Sequence, residues 1–286
     1  MNAQFWLIQA FNGISYGALL FLVGSGLSLI FGVMRIVNLA HGSYFLLGGY
    51  VALSVIWTTG SWLLAIPVAA LTIALVGLFM ERVFLRPLGF DPLRQVLLTV
   101  GFAFLFQQAA LDIWTGNNFD INPPDALTRS VVVGGLYLPL YRMFMIGTAL
   151  AIGLMLWLVM EKTRIGAAVR ATVDDAQMAR GVGIDTSRIS MLIFALGAFL
   201  AALGGVIGGA FLGIYPGLDF EMLPIAFAVV IIGGMGSLGG AAIGALLVGL
   251  ADNFGKALFP EISYFTLYAP MALILAMKPT GLFGRE

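Results

Sequence analysis

Few residues in this chain are of types that do covalent chemistry, and each pattern they form fails a test of spacing or context. Gly13-Ile14-Ser15-Tyr16-Gly17 has the form of a nucleophile elbow. That motif needs a strand-turn-helix setting with an Asp and a His following in order, and His41 is the single histidine. Gly234-x-Gly236-x-x-Gly239 copies a dinucleotide fingerprint but lies in an apolar run and not in a βαβ unit. Gly255-Lys256-Ala257 ends like a phosphate loop, without the spacing back to Gly249 or the hydroxyl after the lysine. The chain is therefore expected to hold no ATP site and no cofactor of its own. The absence of cysteine excludes disulfides, thiolate metal sites and cysteine nucleophiles. No catalytic residue and no metal site is expected.

What remains is chemistry of binding and movement. Ser15, Asn38, His41 and Ser43 are polar residues set in or beside apolar runs. Asn38 either caps a helix starting near Ala40 or marks a broken helix on a translocation path, where free helix-dipole ends meet substrate. Gly236, Ser237 and Gly239 belong to the run GGMGSLGG, a candidate hinge because glycine reaches backbone angles that other residues avoid. A leucine at Gly239 is expected to crowd that hinge. Gly204 and Gly208, Gly205, Gly209 and Gly213, and Gly236, Gly240 and Gly244 recur at four-residue spacing, giving flat faces for static close packing or for sliding. Asp112 and Asp252 lie near span ends, as interfacial anchors or as relay groups.

The elements that position these residues are membrane helices. The chain of 286 residues is 60% hydrophobic and 10% charged, against roughly 25% charged in soluble domains. Apolar runs near the 20 residues a helical span needs follow one another almost end to end. Barrel strands would alternate, which Ile66–Phe79 and Met143–Met160 do not. The fold class is all-α polytopic membrane protein, and 1–286 is read as one transmembrane domain. Spans are expected over Phe5–Val33, Ser43–Trp57, Trp62–Met80, Val96–Trp114, Met143–Met160, Ile189–Leu212, Met222–Leu250 and Ile262–Met277. That makes roughly eight or nine helices, depending on whether the run broken by GGMGSLGG crosses twice or re-enters. Met1–Gln4 carries no Lys or Arg before the apolar run, so no cleavable signal peptide is expected. The lipid bilayer is the first partner, and a net charge of +0 gives no reason to expect nucleic acid.

Basic residues in short loops favour the cytoplasm. Glu81–Arg94 and the polar stretch Glu161–Arg188 are therefore expected inside, Gly116–Tyr141 and Tyr215–Glu221 outside, and the C-terminus, with Lys278 and Arg285, inside. The stretch 161–188 sets Lys162, Arg164, Arg170, Arg180 and Arg188 against Glu161, Asp174, Asp175 and Asp185. Ile165, Val169 and Val173 give one short helix an apolar stripe with Arg170 on another face. Asp174-x-x-Gln177 reads as a cap for a second, ended by Gly181 or Gly183, and Asp185 as a cap for the next span. Two short capped helices meeting at Asp174 suit docking better than mere connection.

Three stretches, Asn12–Tyr50 (NGISYGALLFLVGSGLSLIFGVMRIVNLAHGSYFLLGGY), Thr163–Asp185 (TRIGAAVRATVDDAQMARGVGID) and GGMGSLGG, closely resemble the inner-membrane permease subunit of branched-chain amino acid ABC importers, the LivH kind. The resemblance implies a second homologous permease, two cytoplasmic ABC ATPases and an extracytoplasmic substrate-binding protein as partners, with alternating access driven by ATP at the ATPases. It places Arg164, Arg170, Asp174, Asp175, Ala179, Gly181 and Gly183 in an ATPase-coupling segment. Many family members carry proline near Asp175, where this chain has Ala176. Related permeases carry urea or short amides, and an ion-gradient-driven secondary transporter is the rival outside the family. Such a transporter would want a buried carboxylate or half-helix ion site near mid-membrane, and the expected spans are nearly free of charge.

Overall fold

The computed structural model describes residues 3–89 and 91–284. Arg285 and Met1 therefore lie outside the described residues. The helices are α1 (Ala3–Met34), α2 (His41–Thr59), α3 (Trp62–Met80), α4 (Pro92–Trp114), α5 (Leu140–Lys162), α6 (Arg164–Asp174), α7 (Ala176–Gly181), α8 (Thr186–Leu212), α9 (Leu218–Gly233), α10 (Leu238–Leu258) and α11 (Ser263–Met277). Among the described residues six helices are long and apolar enough to cross a membrane. They are α1, α3 with the turns that extend it, α4, α5, α8 and α10. The more polar α2 and the shorter α9 and α11 complete the roughly nine expected. The long run broken by GGMGSLGG becomes two helices, so it is a helical hairpin.

One departure from all-α lies in the loop after α4. Ser130–Val133 (β1) pairs antiparallel with Leu136–Pro139 (β2) around Gly134 and Gly135, both at positive φ. Two glycines between apolar runs are a hairpin signal, and the loop reading of Gly116–Tyr141 missed it.

The bundle has a hairpin end and a basic end. At the hairpin end Phe119 and Ile214 exchange backbone hydrogen bonds of 2.9 and 2.7 Å, and Trp62 lies edge-on to Tyr141 and Phe144. At the basic end Arg86 Nη2 donates to the Ser187 carbonyl at 2.9 Å, tying the α3–α4 turn to the start of α8. The C-terminal residues join that end, where Leu282 and Phe283 N–H donate to the carbonyls of Ile232 and Gly233.

Two three-helix units of opposite direction make the core. α1 runs from the hairpin end to the basic end, the chain breaks, and α2 begins in the interior. α8 runs the other way, breaks, and is followed by α9, which also begins in the interior. α1 packs on α10 and α8 on α3, so each unit's first helix lies on the other's third. This is an inverted-topology arrangement of the kind found in transporters. Its contacts use small residues, since lipid supplies no hydrophobic drive between helices. α2 meets α8 with Gly48 so close that a Cβ would sit 2.5 Å from Ala202 Cα, and a Cβ on Gly205 would overlap the Phe45 carbonyl. The glycine stripe on α8 is thus a seam of close packing.

Overpacking such a seam costs about 1–3 kcal/mol or more. Gly205→Val should lower the thermal stability of the detergent-solubilised protein sharply. Gly101→Val on α4, where nothing lies within 4 Å, should leave it near wild type.

Candidate translocation path and coupling segment

The first break, Arg35–Ala40, turns the chain back into the bundle. Arg35 sits at φ 54, and the amides that leave the helix ladder find partners. Leu39 N–H donates to Thr99 Oγ1 of α4 at 3.2 Å, Ala40 N–H to Asn38 Oδ1 at 3.1 Å, and His41 N–H to the Asn38 carbonyl at 3.3 Å. Asn38 thus organises the turn. The N-cap position itself is Ala40, which has no side-chain cap, so Asn38 does not cap α2 as expected but closes the turn two residues before the cap. His41 is fully buried with Nε2 3.0 Å from the Val23 carbonyl. A carbonyl only accepts, so Nε2 carries the proton and Nδ1 is left unbonded. Val23 is about 16 Å from the end of α1 at 1.5 Å per residue, which puts the start of α2 deep in the bundle.

The second break, Gly213–Gly217, brings α9 to the same depth. Ser43 Oγ donates to Asp219 Oδ2 at 3.0 Å, and a Cβ on Gly42 would lie 3.0 Å from Leu223 Cβ. Asp219 is 2% exposed and its Oδ1 has no partner. Two helix N-termini, each a positive dipole end, therefore converge on one buried carboxylate. Asp219 was expected in an outward loop. The chain around it dips inward, and that residue was missed. Its signal was an apolar run, Leu218–Gly233, too short to cross and flanked by glycine.

Ser15 is buried but its hydroxyl donates to the Phe11 carbonyl of its own helix at 2.7 Å. An apolar recess of about 330 Å³ lies between the end of α1 and α9, lined by Leu27, Phe31, Val37, Phe227, Val230 and Met235 among others.

GGMGSLGG has the glycine backbone expected of it, with Gly234 at φ 102 and Gly236 at φ 83. It is a pinned turn and not a loose hinge. Ser237 Oγ caps α10 by accepting from Gly240 N–H at 3.0 Å, and the Ser237 carbonyl accepts from Ser28 Oγ of α1 at 3.2 Å. Gly236 lies against Gly32, and Gly233 and Gly240 are each so close to the other's carbonyl that neither has room for a Cβ. Gly239 is exposed with nothing within 4 Å. The crowding expected there belongs to its neighbour, because consecutive helix positions face different sides.

The polar stretch forms the two short helices expected, α6 and α7. Thr163 caps α6 by accepting from Gly166 N–H at 3.2 Å, and Gly166 passes so close under the Met160 carbonyl that no side chain fits. Gly166, Val169 and Thr172 are buried and Ile165 is 54% exposed. The stripe therefore follows three-residue steps and not the Ile165–Val169–Val173 line expected. Arg170 turns back to the Met160 carbonyl and to Glu161 Oε2, 3.8 Å away. It braces α6 against α5. The cap of α7 is Asp175, whose Oδ1 accepts from Gln177 and Met178 N–H at 2.8 and 2.9 Å. Asp174 is the exposed last residue of α6, and Arg164 the exposed first one. Asp185 caps α8 as expected, accepting from Arg188 N–H at 3.0 Å. Ala179 is buried at 3%, Gly181 is exposed, and Gly183 takes φ 89 in the turn to α8. Met178 and Val182, 66% and 71% exposed, stand one turn apart on α7 and its end, and Ile165 of α6 is exposed as well; they were missed as site residues.

The family model for the branched-chain amino acid transport system permease component matches residues 9–275. The chain belongs to this permease family. LivH of Escherichia coli (strain K12), a high-affinity branched-chain amino acid transport system permease protein, is 32% identical over all of this chain and 98% of its own length. BraD of Pseudomonas aeruginosa, named for the same transport system, is 28% identical over 98% and 96%. The autoinducer 2 import system permease LsrC of Escherichia coli O9:H4 is 31% identical over 66% and 56%. Among solved structures none matches the chain. The break at Asn38–His41, the α6–α7 pair and the Gly233–Gly240 turn all lie within the family match.

Gly240→Leu should lower the thermal stability of the purified protein, whereas Gly239→Leu should leave it near wild type. Measuring both melting curves side by side checks that the turn is set by packing.

Proposed function

We propose that this chain is a transmembrane permease subunit of a binding-protein-dependent ABC importer for branched-chain or related amino acids. A second, homologous permease would complete the path, two ABC ATPases would dock on α6–α7, and a substrate-binding protein would deliver cargo at the hairpin end. The observation that carries the reading is the coupling segment. A braced, twice-capped helix pair stands at the basic end and presents Ile165, Met178 and Val182 to solvent. Exposed apolar side chains at such a place suit a protein contact, and full-length likeness to LivH and BraD, permease proteins of a transport system, supports a partner from such a system.

Sidedness follows from charge. Arg82, Arg86, Arg94, Lys162, Arg164 and Lys278 gather at the basic end, which the positive-inside tendency assigns to the cytoplasm of a bacterial inner membrane. The C-terminal residues joined to the end of α9 lie on that side. ATP binding and hydrolysis would belong to the ATPases and reach this chain as motion of α6 and α7. The two interior helix starts suit the charged end of such a cargo, and the apolar recess between the end of α1 and α9 suits a branched aliphatic group.

The test is uptake of labelled leucine by the reconstituted assembly. It should require the binding protein and ATP, and uptake driven by an ion gradient without ATP would overturn the reading. Replacing Met178 and Val182 together by Glu should leave insertion intact while abolishing co-purification of the ATPase and with it uptake. Co-purification at wild-type level would move the docking surface elsewhere.

A further inference from the structure

The lipid-facing surfaces of α3 and α4 end in arginines at the basic end. On α3 the exposed stripe Leu71, Leu75 and Phe79 runs down to the turn, and Arg82, exposed like them, stands three residues beyond Phe79. α4 repeats the order in reverse, with Arg94, 71% of its side chain exposed, three residues ahead of Leu97 and the exposed positions Gly101 and Leu105 following. Positions three and four apart share a helix face, so each apolar stripe closes on a guanidinium. A row of rings joins the two stripes. Phe84, 36% exposed, stands edge-on to Phe79 at 5.8 Å and to Phe102 of α4 at 4.9 Å, and Phe102 leans on Phe106 at 5.5 Å.

The charges of this turn differ in what they hold. Glu81 opens a π-helical turn, Glu81–Leu85, is buried, and has Oε1 3.6 Å from Arg86 Nε. Arg86 also donates to the Ser187 carbonyl. Asp91 Oδ2 is held by Arg94 Nε at 2.9 Å, which engages one of the five donors of that guanidinium. Arg82 makes no hydrogen bond and no ion pair with a described residue. With Glu81 buried and Asp91 paired, Arg82 is the open charge of the turn. A long cationic side chain beside bare hydrocarbon settles where acyl chains give way to headgroups, and guanidinium donors match phosphate oxygens in pairs.

We infer that the groove between the end of α3 and the start of α4 is a binding site for an anionic phospholipid, its phosphate on Arg82 and Arg94 and its acyl chains along Phe79, Phe84 and Leu97. All five side chains have surface for a lipid to touch. Charge selects the headgroup, because a zwitterionic lipid brings the same chains and phosphate with an ammonium group that two arginines repel. The site goes beyond the transport reading and stands on the membrane fold alone. Arg86 ties the same turn to the first residues of α8, so a lipid held there supports α8 from the bilayer side.

Native mass spectrometry of the full chain, purified in detergent and titrated with phosphatidylglycerol or with phosphatidylcholine of the same chains, reads the site without needing transport. Wild type should retain phosphatidylglycerol over phosphatidylcholine by about tenfold or more, the scale of charged hydrogen bonds. Arg82→Gln with Arg94→Gln should bring the two lipids level. Arg82→Lys with Arg94→Lys, which keeps both charges, should hold the preference and so separates lost charge from lost fold. Arg188→Gln, at an exposed arginine of the same end on α8, should leave the preference unchanged. Equal retention of both lipids by wild type, or a preference that survives the double glutamine substitution, would overturn the site. Inorganic phosphate bound as tightly as the lipid would overturn it too, since an anion site of that kind has no use for acyl chains.

Discussion

Backbone amides have no water to turn to in a bilayer, and this structure depends on how two interruptions in its helices are satisfied. Both lie where α1 gives way to α2 and α8 to α9. Each is tolerated because protein, not lipid, surrounds it. Thr99 of α4 and Asn38 take up the amides of the first break. The second is closed by Phe119, which exchanges two hydrogen bonds with Ile214 from a loop far away in sequence. Irregular backbone inside a membrane protein is retained at functional sites, so the cost of building these breaks is itself an argument that they serve transport.

The inverted arrangement explains why the breaks meet. Units running in opposite directions place their interior helix starts face to face, at Ser43 and Asp219. Two converging dipoles then stabilise a carboxylate that lipid would not accept. Close approach is the second requirement. Gly42, Gly48 and Gly205 stand where a side chain would strike a neighbouring backbone or side chain, so the seam between α2, α8 and α9 is fixed by size more than by polarity.

Much of this was legible in the sequence. Span positions followed from run length, and the Asp185 cap from a single residue type before an apolar run. The α7 cap was misplaced by one residue. Asp174-x-x-Gln177 fits the capping pattern, but the helical ladder runs through Asp174, with Asp175 N–H still bonded to the Ala171 carbonyl, and extended backbone first occurs at Asp175, φ −153 and ψ 102. Asp219 and Glu81 were harder. An acidic residue beside glycine or arginine reads as loop, and only the tertiary path of the chain reveals that both are buried. Gly239 illustrates the same limit, since a glycine-rich string does not say which glycine faces the neighbour.

Burial at one end and exposure at the other give the α6–α7 pair the build the proposed coupling role needs. α6 is fixed to α5 through Thr163, Gly166 and Arg170, so it cannot shift without α5. α7 is joined to α8 by the Arg180 Nε bond to Thr186 Oγ1, 2.9 Å, and by the turn at Gly183. α8 is unbroken from Thr186 to Leu212, and the chain from its far end leads straight into the break that carries Asp219. A push on α7 would reach the interior through a stiff helix about 40 Å long at 1.5 Å per residue, and a push on α6 would reach α5 and, through Val169, α8 and α1. Both short helices reach α8, α7 through the chain and α6 through Val169, which shares a buried cluster with Ile189 and Ile193.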